Sequence, residues 1–142
     1  MNTDEKIITI QYQYNASLEK VWQALTDKDQ MRLWYFNVSD FEPVKGFEFH
    51  FEAGAAHKLF MHLCKVIDAV KEQKLAYTWR YEGYDGDSLV SFTLMPENQE
   101  TKLILTHEGL ESFPPNPDFA KANFRQGWIE ILGTNLKNFV EK

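Results

Sequence analysis

The feature that most constrains the fold is the last part of the chain, which predicts one long amphipathic helix. We expect Asn116 to cap this helix, Pro117 to occupy its first position, and the helix to run almost to Lys142. On a helical wheel, one face carries Phe124, Trp128, Ile131, Leu132, Leu136 and Phe139. The opposite face carries Glu130, Lys137 and Glu141. An apolar face of this width must pack against another apolar surface.

Segments that are apolar, aromatic or β-branched predict that surface as a sheet. They are Lys6–Tyr14, Phe47–Glu52, Leu59–Val70, Lys74–Glu82, Leu89–Pro96 and Thr101–Glu108. The short polar or glycine-containing stretches between the last five are compatible with antiparallel hairpins. After the first strand, Ser17 can cap one short helix and Asp27 a second. We therefore predict an α+β fold, a single domain over residues 1–142, in which a curved six-stranded antiparallel sheet surrounds the C-terminal helix.

Charge and cysteine content argue against several classes of partner. Fifteen basic against twenty-one acidic residues give a net charge of −6, which disfavours nucleic acid and anionic membrane surfaces. Cys64 is the single cysteine, so the chain forms no internal disulfide. The longest uncharged run, Ile7–Leu18, is shorter than the ~18 residues that span a bilayer. We expect a cytoplasmic protein without membrane insertion.

Strand alternation predicts an unusually aromatic inner face of the sheet. Its members are Phe47, Phe49, Phe51, His62, Cys64, Val66, Leu75, Tyr77, Trp79, Tyr81, Val90, Phe92, Leu94, Leu103, Leu105 and His107. A dry void of ~300 Å³ behind such a sheet would cost ~7 kcal/mol, so rings, water or an apolar ligand must fill the space. The aromatic wall is either plain core or a ligand pocket.

Several segments resemble one family of domains. Ser17–Thr26, followed by Leu33-Trp34-Tyr35, resembles the start of START-like (SRPBCC) domains, and more narrowly the family named after the activator of the ninety-kilodalton heat-shock chaperone ATPase. Leu75–Tyr81, Val90–Pro96, Thr101–Gly109 and Gly127-Trp128 support this likeness, whereas Cys64-Lys65-Val66 departs from the usual Gly-x-Val. The resemblance implies a helix-grip fold with an elongated pocket between sheet and C-terminal helix. Relatives include lipid carriers, binders of aromatic metabolites, polyketide cyclases and co-chaperone modules.

From the predicted lining and this resemblance we select candidate ligand-binding residues. They are Trp34, Phe49, Phe51, His62, Cys64, Tyr77, Trp79, Phe92, His107, Phe124, Trp128, Ile131 and Asn135. Each inward histidine is either a hydrogen-bonded core residue or the polar group that orients a ligand. Trp34 and Tyr35 either close one mouth of the pocket or pack against the short helices. Gly127 is either a tolerated helix glycine or a point of close approach. Asn135, an amide near the centre of the apolar face, either hydrogen-bonds a buried partner or a ligand, or lies at a solvated helix end.

Three functions remain open. The first is a protein that binds an apolar or aromatic small molecule; the second is a cyclase or hydratase that uses His107 as acid or base; the third is a co-chaperone-like module with a chaperone as partner. We predict no cofactor and no metal, since His57 and His62 are five residues apart and fall on opposite faces of a strand. Leu59, Met61, Leu63 and Ile67 should point outward, where a second copy, forming a homodimer, or an adjoining loop would cover them.

Overall fold

A six-stranded antiparallel sheet surrounds a long C-terminal helix, as the sequence predicted. The computed structural model describes residues 7–55, 58–115 and 119–142. The elements in chain order are β1 (Ile7–Tyr14), α1 (Leu18–Thr26), α2 (Lys28–Trp34), β2 (Glu48–Ala55), β3 (Lys58–Val70), β4 (Lys74–Tyr81), β5 (Ser88–Glu97), β6 (Glu100–Glu108) and a 3₁₀ turn (Leu110–Ser112), then the C-terminal helix. The strand order is β1-β6-β5-β4-β3-β2. The α+β fold class is confirmed.

Local sequence signals explain where the short helices begin. The Ser17 hydroxyl accepts a hydrogen bond from the Lys20 amide at 3.2 Å, and the Asp27 carboxylate accepts one from the Gln30 amide at 3.2 Å. Both are N-caps that satisfy an otherwise unpaired amide of the first turn. The two helices therefore begin where the sequence predicted them.

Curvature of the sheet is marked by an irregularity in β3. The pairing of β3 with β4 shifts register between Val66 and Asp68. A bulge of this kind bends a strand and increases its twist.

Of the positions predicted to face inward, all are buried except Phe47, which is half-buried.

The C-terminal helix consists of α3 (Lys121–Glu130), a π-helical segment (Ile131–Leu136) and α4 (Lys137–Val140). The predicted cap at Asn116 and first turn at Pro117 lie outside the described residues, and Ala120 occupies the N-cap position of α3. The buried face carries Trp128, Leu132, Leu136 and Val140. A wheel at a constant 100° per residue is wrong from Ile131 onward, because a π-helix has more residues per turn. Asn135 is consequently exposed, not central on the apolar face.

Two tyrosines of β1 contact the π-helical segment directly. The buried Tyr14 hydroxyl donates to the carbonyl of Leu132 at 2.8 Å. Tyr12 lies against Gly133, where a Cβ atom would come within 2.6 Å of the Tyr12 hydroxyl oxygen. A π-helical turn leaves helix carbonyls to other donors, and Tyr14 supplies one.

The outer face of β3 carries the apolar residues that were expected there. Leu59 is 58% exposed and Ile67 39% exposed, whereas Met61 and Leu63 are half-buried. Covering of this stripe by a second copy stays a prediction. Within the described ranges, no helix has the length and apolar character needed to cross a bilayer.

Candidate functional site

A cavity of about 540 Å³ lies between strands β2–β4 and helix α3. Seven aromatic side chains line it: Phe36, Phe60, Trp79, Tyr81, Phe119, Phe124 and Trp128. The other lining residues are Ala53, Gly54, His62, Asn123, Gly127, Glu130, Ile131 and Asn135. Because Asn123, Glu130 and Asn135 are exposed, the cavity opens to solvent along the helix.

The sheet side of the cavity is a set of interlocked rings. His62 stacks on Phe51 with ring centroids 4.5 Å apart, and its edge meets Trp79 at 4.9 Å. Phe36, from the loop after α2, stacks on the same Phe51 at 4.5 Å. The Trp79 indole N–H donates to the Tyr81 hydroxyl at 2.9 Å. These contacts fix the orientation of the rings before any ligand arrives.

His62 is the only lining histidine among the described residues, and it is uncharged at neutral pH. Burial lowers its pKa to about 4, against hydrogen bonds with backbone carbonyls of Phe60 and Phe51 that act in the opposite direction. The Phe60 carbonyl, 3.0 Å from Nδ1, can only accept, so Nδ1 carries the proton of the neutral ring. Nε2 is then an acceptor.

On the helix side, Trp128 is held by a buried chain of hydrogen bonds. Its indole N–H donates to His107 Nδ1 at 3.0 Å, and His107 Nε2 lies 2.8 Å from the Ser88 hydroxyl. The Ser88 hydroxyl in turn donates to the carbonyl of Trp79 at 2.6 Å. Because Nδ1 accepts, Nε2 must be the protonated nitrogen and donates to Ser88. Burial lowers the pKa of His107 to about 3, so this tautomer is uncharged.

Three more polar groups lie behind the aromatic wall. The hydroxyl oxygens of Tyr35 and Tyr77 are 2.7 Å apart, and the Tyr35 ring stacks on Trp128 at 6.3 Å. Burial raises the pKa of both tyrosines well above its ordinary value. Burial also raises the pKa of the Cys64 thiol. A protonated, enclosed thiol is a poor nucleophile, so Cys64 acts here as a core residue.

The structure brings some of the predicted site residues to the cavity and leaves others outside it. Those that line it are His62, Trp79, Phe124, Trp128, Ile131 and Asn135. Those that do not are Trp34, Phe49, Phe51, Cys64, Tyr77, Phe92 and His107. His107 is fully buried with both ring nitrogens hydrogen-bonded, which makes it a core histidine.

For both Trp34 and Gly127, the sequence is compatible with two alternative roles, and the structure distinguishes them. The Trp34 indole N–H donates to the carbonyl of Ala24 at 2.8 Å, so Trp34 packs against the short helices and does not close the pocket. A Cβ atom on Gly127 would meet nothing within 4 Å. No close approach therefore explains this glycine, which instead leaves open space in the helix wall of the cavity.

Several lining residues were missed by the sequence reasoning. Phe60 is two residues before His62 in β3, so strand alternation could have found it. Phe36 lies in a loop and Phe119 in a 3₁₀ turn, and neither has a sequence periodicity that indicates where its side chain points. Glu130 lies on the predicted polar face of the wheel and reaches the cavity where α3 meets the π-helical segment. Among the residues described, no group of three His, Cys, Asp or Glu side chains could hold a metal ion.

The curved sheet, the long helix and the cavity between them define a helix-grip domain of the START-like, ligand-binding type. Residues 15–141 match the model of the family described as "Activator of Hsp90 ATPase homolog 1-like protein", and the chain belongs to this family. No curated protein shows a significant sequence match to the chain.

Solved structures show the same fold. Protein MLL2253 from Mesorhizobium loti is 26% identical, with a TM-score of 0.75 over 94% of this chain and 95% of its own. Protein CV1439 from Chromobacterium violaceum is 23% identical, with a TM-score of 0.81 over 96% and 98%. DynU16, from the dynemicin biosynthetic locus, is 20% identical with a TM-score of 0.80 over 96% of this chain. The chain spans about half (48%) of the length of DynU16.

Proposed function

We propose that this protein binds a small, largely apolar aromatic molecule in the cavity between β2–β4 and α3. The observation that carries the proposal is an open space of about 540 Å³ whose wall holds seven aromatic rings. Ligand sites are typically concave, of ~300–1,000 Å³, mostly apolar, with a few polar groups that set orientation. Here His62, Asn123, Glu130 and Asn135 are those polar groups.

The hydrogen-bonded rings favour binding because they are rigid before the ligand arrives. Trp79 is tied to Tyr81, and Trp128 to His107. A preformed wall loses little side-chain entropy when a ligand binds, so more of the burial energy appears as affinity.

The same hydrogen bonds weigh against the alternative of acid–base chemistry by His107. Both of its nitrogens are engaged inside the core, and a general acid or base must reach the proton that it moves. Binding is therefore the better-supported function.

Gly127 offers a test that separates binding from folding. Gly127→Leu should place a side chain into the open part of the cavity without a clash, since nothing lies within 4 Å of a Cβ there. Losing about 60 Å² of apolar ligand contact at ~25 cal/mol per Å² weakens binding about tenfold. Quenching of the intrinsic tryptophan fluorescence by 1-naphthalenemethanol, a neutral probe, measures the dissociation constant.

The matched control is Gln126→Leu, which adds the same side chain at the neighbouring exposed position outside the cavity. We expect Gln126→Leu to bind the probe as the unmodified chain does. Equal affinities for the unmodified protein and Gly127→Leu would contradict the proposed site, and no binding to the unmodified protein would contradict the proposed function.

A further inference from the structure

We propose that this cavity selects an aromatic ligand carrying a protonated amine over the same ring system carrying a carboxylate. The inference rests on the binding function proposed above and names the ligand class of the same site. It follows from the charges and from the hydrogen-bonding groups that line the cavity.

The charge at the cavity is negative. Glu130 is the only ionised side chain among the described lining residues, and none of these is Lys or Arg. Within the described part of the chain, no hydrogen bond or ion pair neutralises the Glu130 carboxylate. Helix neighbours three or four residues away would be the nearest counter-charges, but they are Gln126, Gly127, Gly133 and Thr134.

The hydrogen-bonding groups of the wall also favour a donor on the ligand. The indole N–H groups of Trp79 and Trp128 already donate to protein atoms, and so does Nδ1–H of His62. None of these three N–H groups is left to donate to an acceptor on a ligand. A ligand ammonium group can donate to the Glu130 carboxylate, and cations are attracted to the faces of aromatic rings.

A carboxylate on the same ligand would lack these interactions. It would be repelled by Glu130, and the described wall offers it no cationic partner. An isolated anion that enters a partly desolvated site without a counter-charge loses a large part of its hydration energy. Among ligands with the same ring system, the amine should therefore bind more tightly than the uncharged ligand, and the carboxylate more weakly.

Three probes with one ring system test this: 1-naphthylmethylamine, 1-naphthalenemethanol and 1-naphthoate, titrated by calorimetry at pH 7 and ~0.15 M salt, where distant surface charges are largely screened. We expect the amine to bind about fivefold more tightly than the alcohol, and the naphthoate about fivefold more weakly. Equal affinities, or tightest binding of the naphthoate, would overturn the charge selection while leaving the binding function intact. Failure of all three to bind would overturn both.

Glu130→Gln tests the residue that carries the selection. We expect this variant to lose most of the preference for the amine over the alcohol. The control is Glu19→Gln, which removes the same charge from an exposed position in α1 and should keep the preference. Equal loss of the preference in both variants would assign the effect to net charge and would overturn the role of Glu130.

Discussion

At the scale of single residues, the two inward histidines show what strand alternation can and cannot predict. Alternation placed both His62 and His107 on the inner face, and both are buried. It could not separate their roles, because the partners of His107 come from β5 and from α3. The side of a sheet to which a side chain points follows from its position along the strand, whereas its hydrogen-bond partner depends on which distant elements pack together.

The chain from Trp128 through His107 to Ser88 predicts a specific loss of stability. Ser88→Ala removes the acceptor of His107 Nε2–H and the donor to the Trp79 carbonyl, in a fully enclosed place. A buried polar group left without a partner costs ~1–3 kcal/mol, so we expect the free energy of unfolding in urea to fall by that amount. Ser91→Ala, at a half-buried position of the same strand, is the control and should change it by less than about 0.5 kcal/mol. An unchanged free energy of unfolding in Ser88→Ala would contradict the hydrogen-bond assignment.

At the scale of elements, the strands were predicted well and the C-terminal helix only in part. The strand bounds agree with prediction to within a few residues, because period-2 alternation and hairpin signals depend only on residues close together in the sequence. The π-helical segment was not predicted, because its contacts with Tyr12 and Tyr14 depend on β1, more than a hundred residues earlier. This segment changes which residues face the sheet, and it explains why Asn135 is exposed.

Two glycines of the C-terminal helix should respond in opposite ways to the same substitution. Gly127→Ala meets no atom within 4 Å and gains helix propensity, so we expect it to raise the free energy of unfolding by about 1 kcal/mol. Gly133→Ala would bring a methyl group within 2.6 Å of the Tyr12 hydroxyl oxygen, so it should be less stable than Gly127→Ala by about 1–3 kcal/mol. Urea unfolding measures both.

A second substitution, in β1, tests whether Tyr12 causes the loss of stability expected for Gly133→Ala. If the Tyr12 ring is the obstacle, Gly133→Ala should be better tolerated in a Tyr12→Ala background than in the unmodified chain. Additive effects of the two substitutions would show that Tyr12 does not limit the space at position 133.

At the scale of the whole molecule, the sequence predicted the fold but not the shape of the space inside it. The inner face of the sheet was predicted almost completely, yet an open cavity and a ring-filled interior have the same strand pattern. The difference arises where residues outside the strands, such as Phe36 and Phe119, pack against the strands. The homodimer, a chaperone partner and a cytoplasmic location stay predictions.

The two buried histidines make the stability of the whole molecule depend on pH. Burial lowers the pKa of His62 to about 4 and that of His107 to about 3, whereas an unfolded histidine titrates near 6.5. Between pH 6.5 and about 4 the unfolded chain therefore binds more protons than the folded chain, and the free energy of unfolding falls as the pH falls. The stabilisation is complete above pH 6.5 and is lost progressively below it.

We expect the free energy of unfolding to be about 2–4 kcal/mol lower at pH 5 than at pH 7. The carboxyl groups whose pKa is lowered, Asp40 and Glu141, lose their charge only below this range, so they do not account for the change. Urea unfolding of His62→Phe should show about half of the decrease, because one of the two buried histidines is gone. His50→Gln, at an exposed position of β2, should keep all of it. A decrease that is the same in His62→Phe as in the unmodified chain would mean that the His62 ring is not held uncharged in the cavity wall.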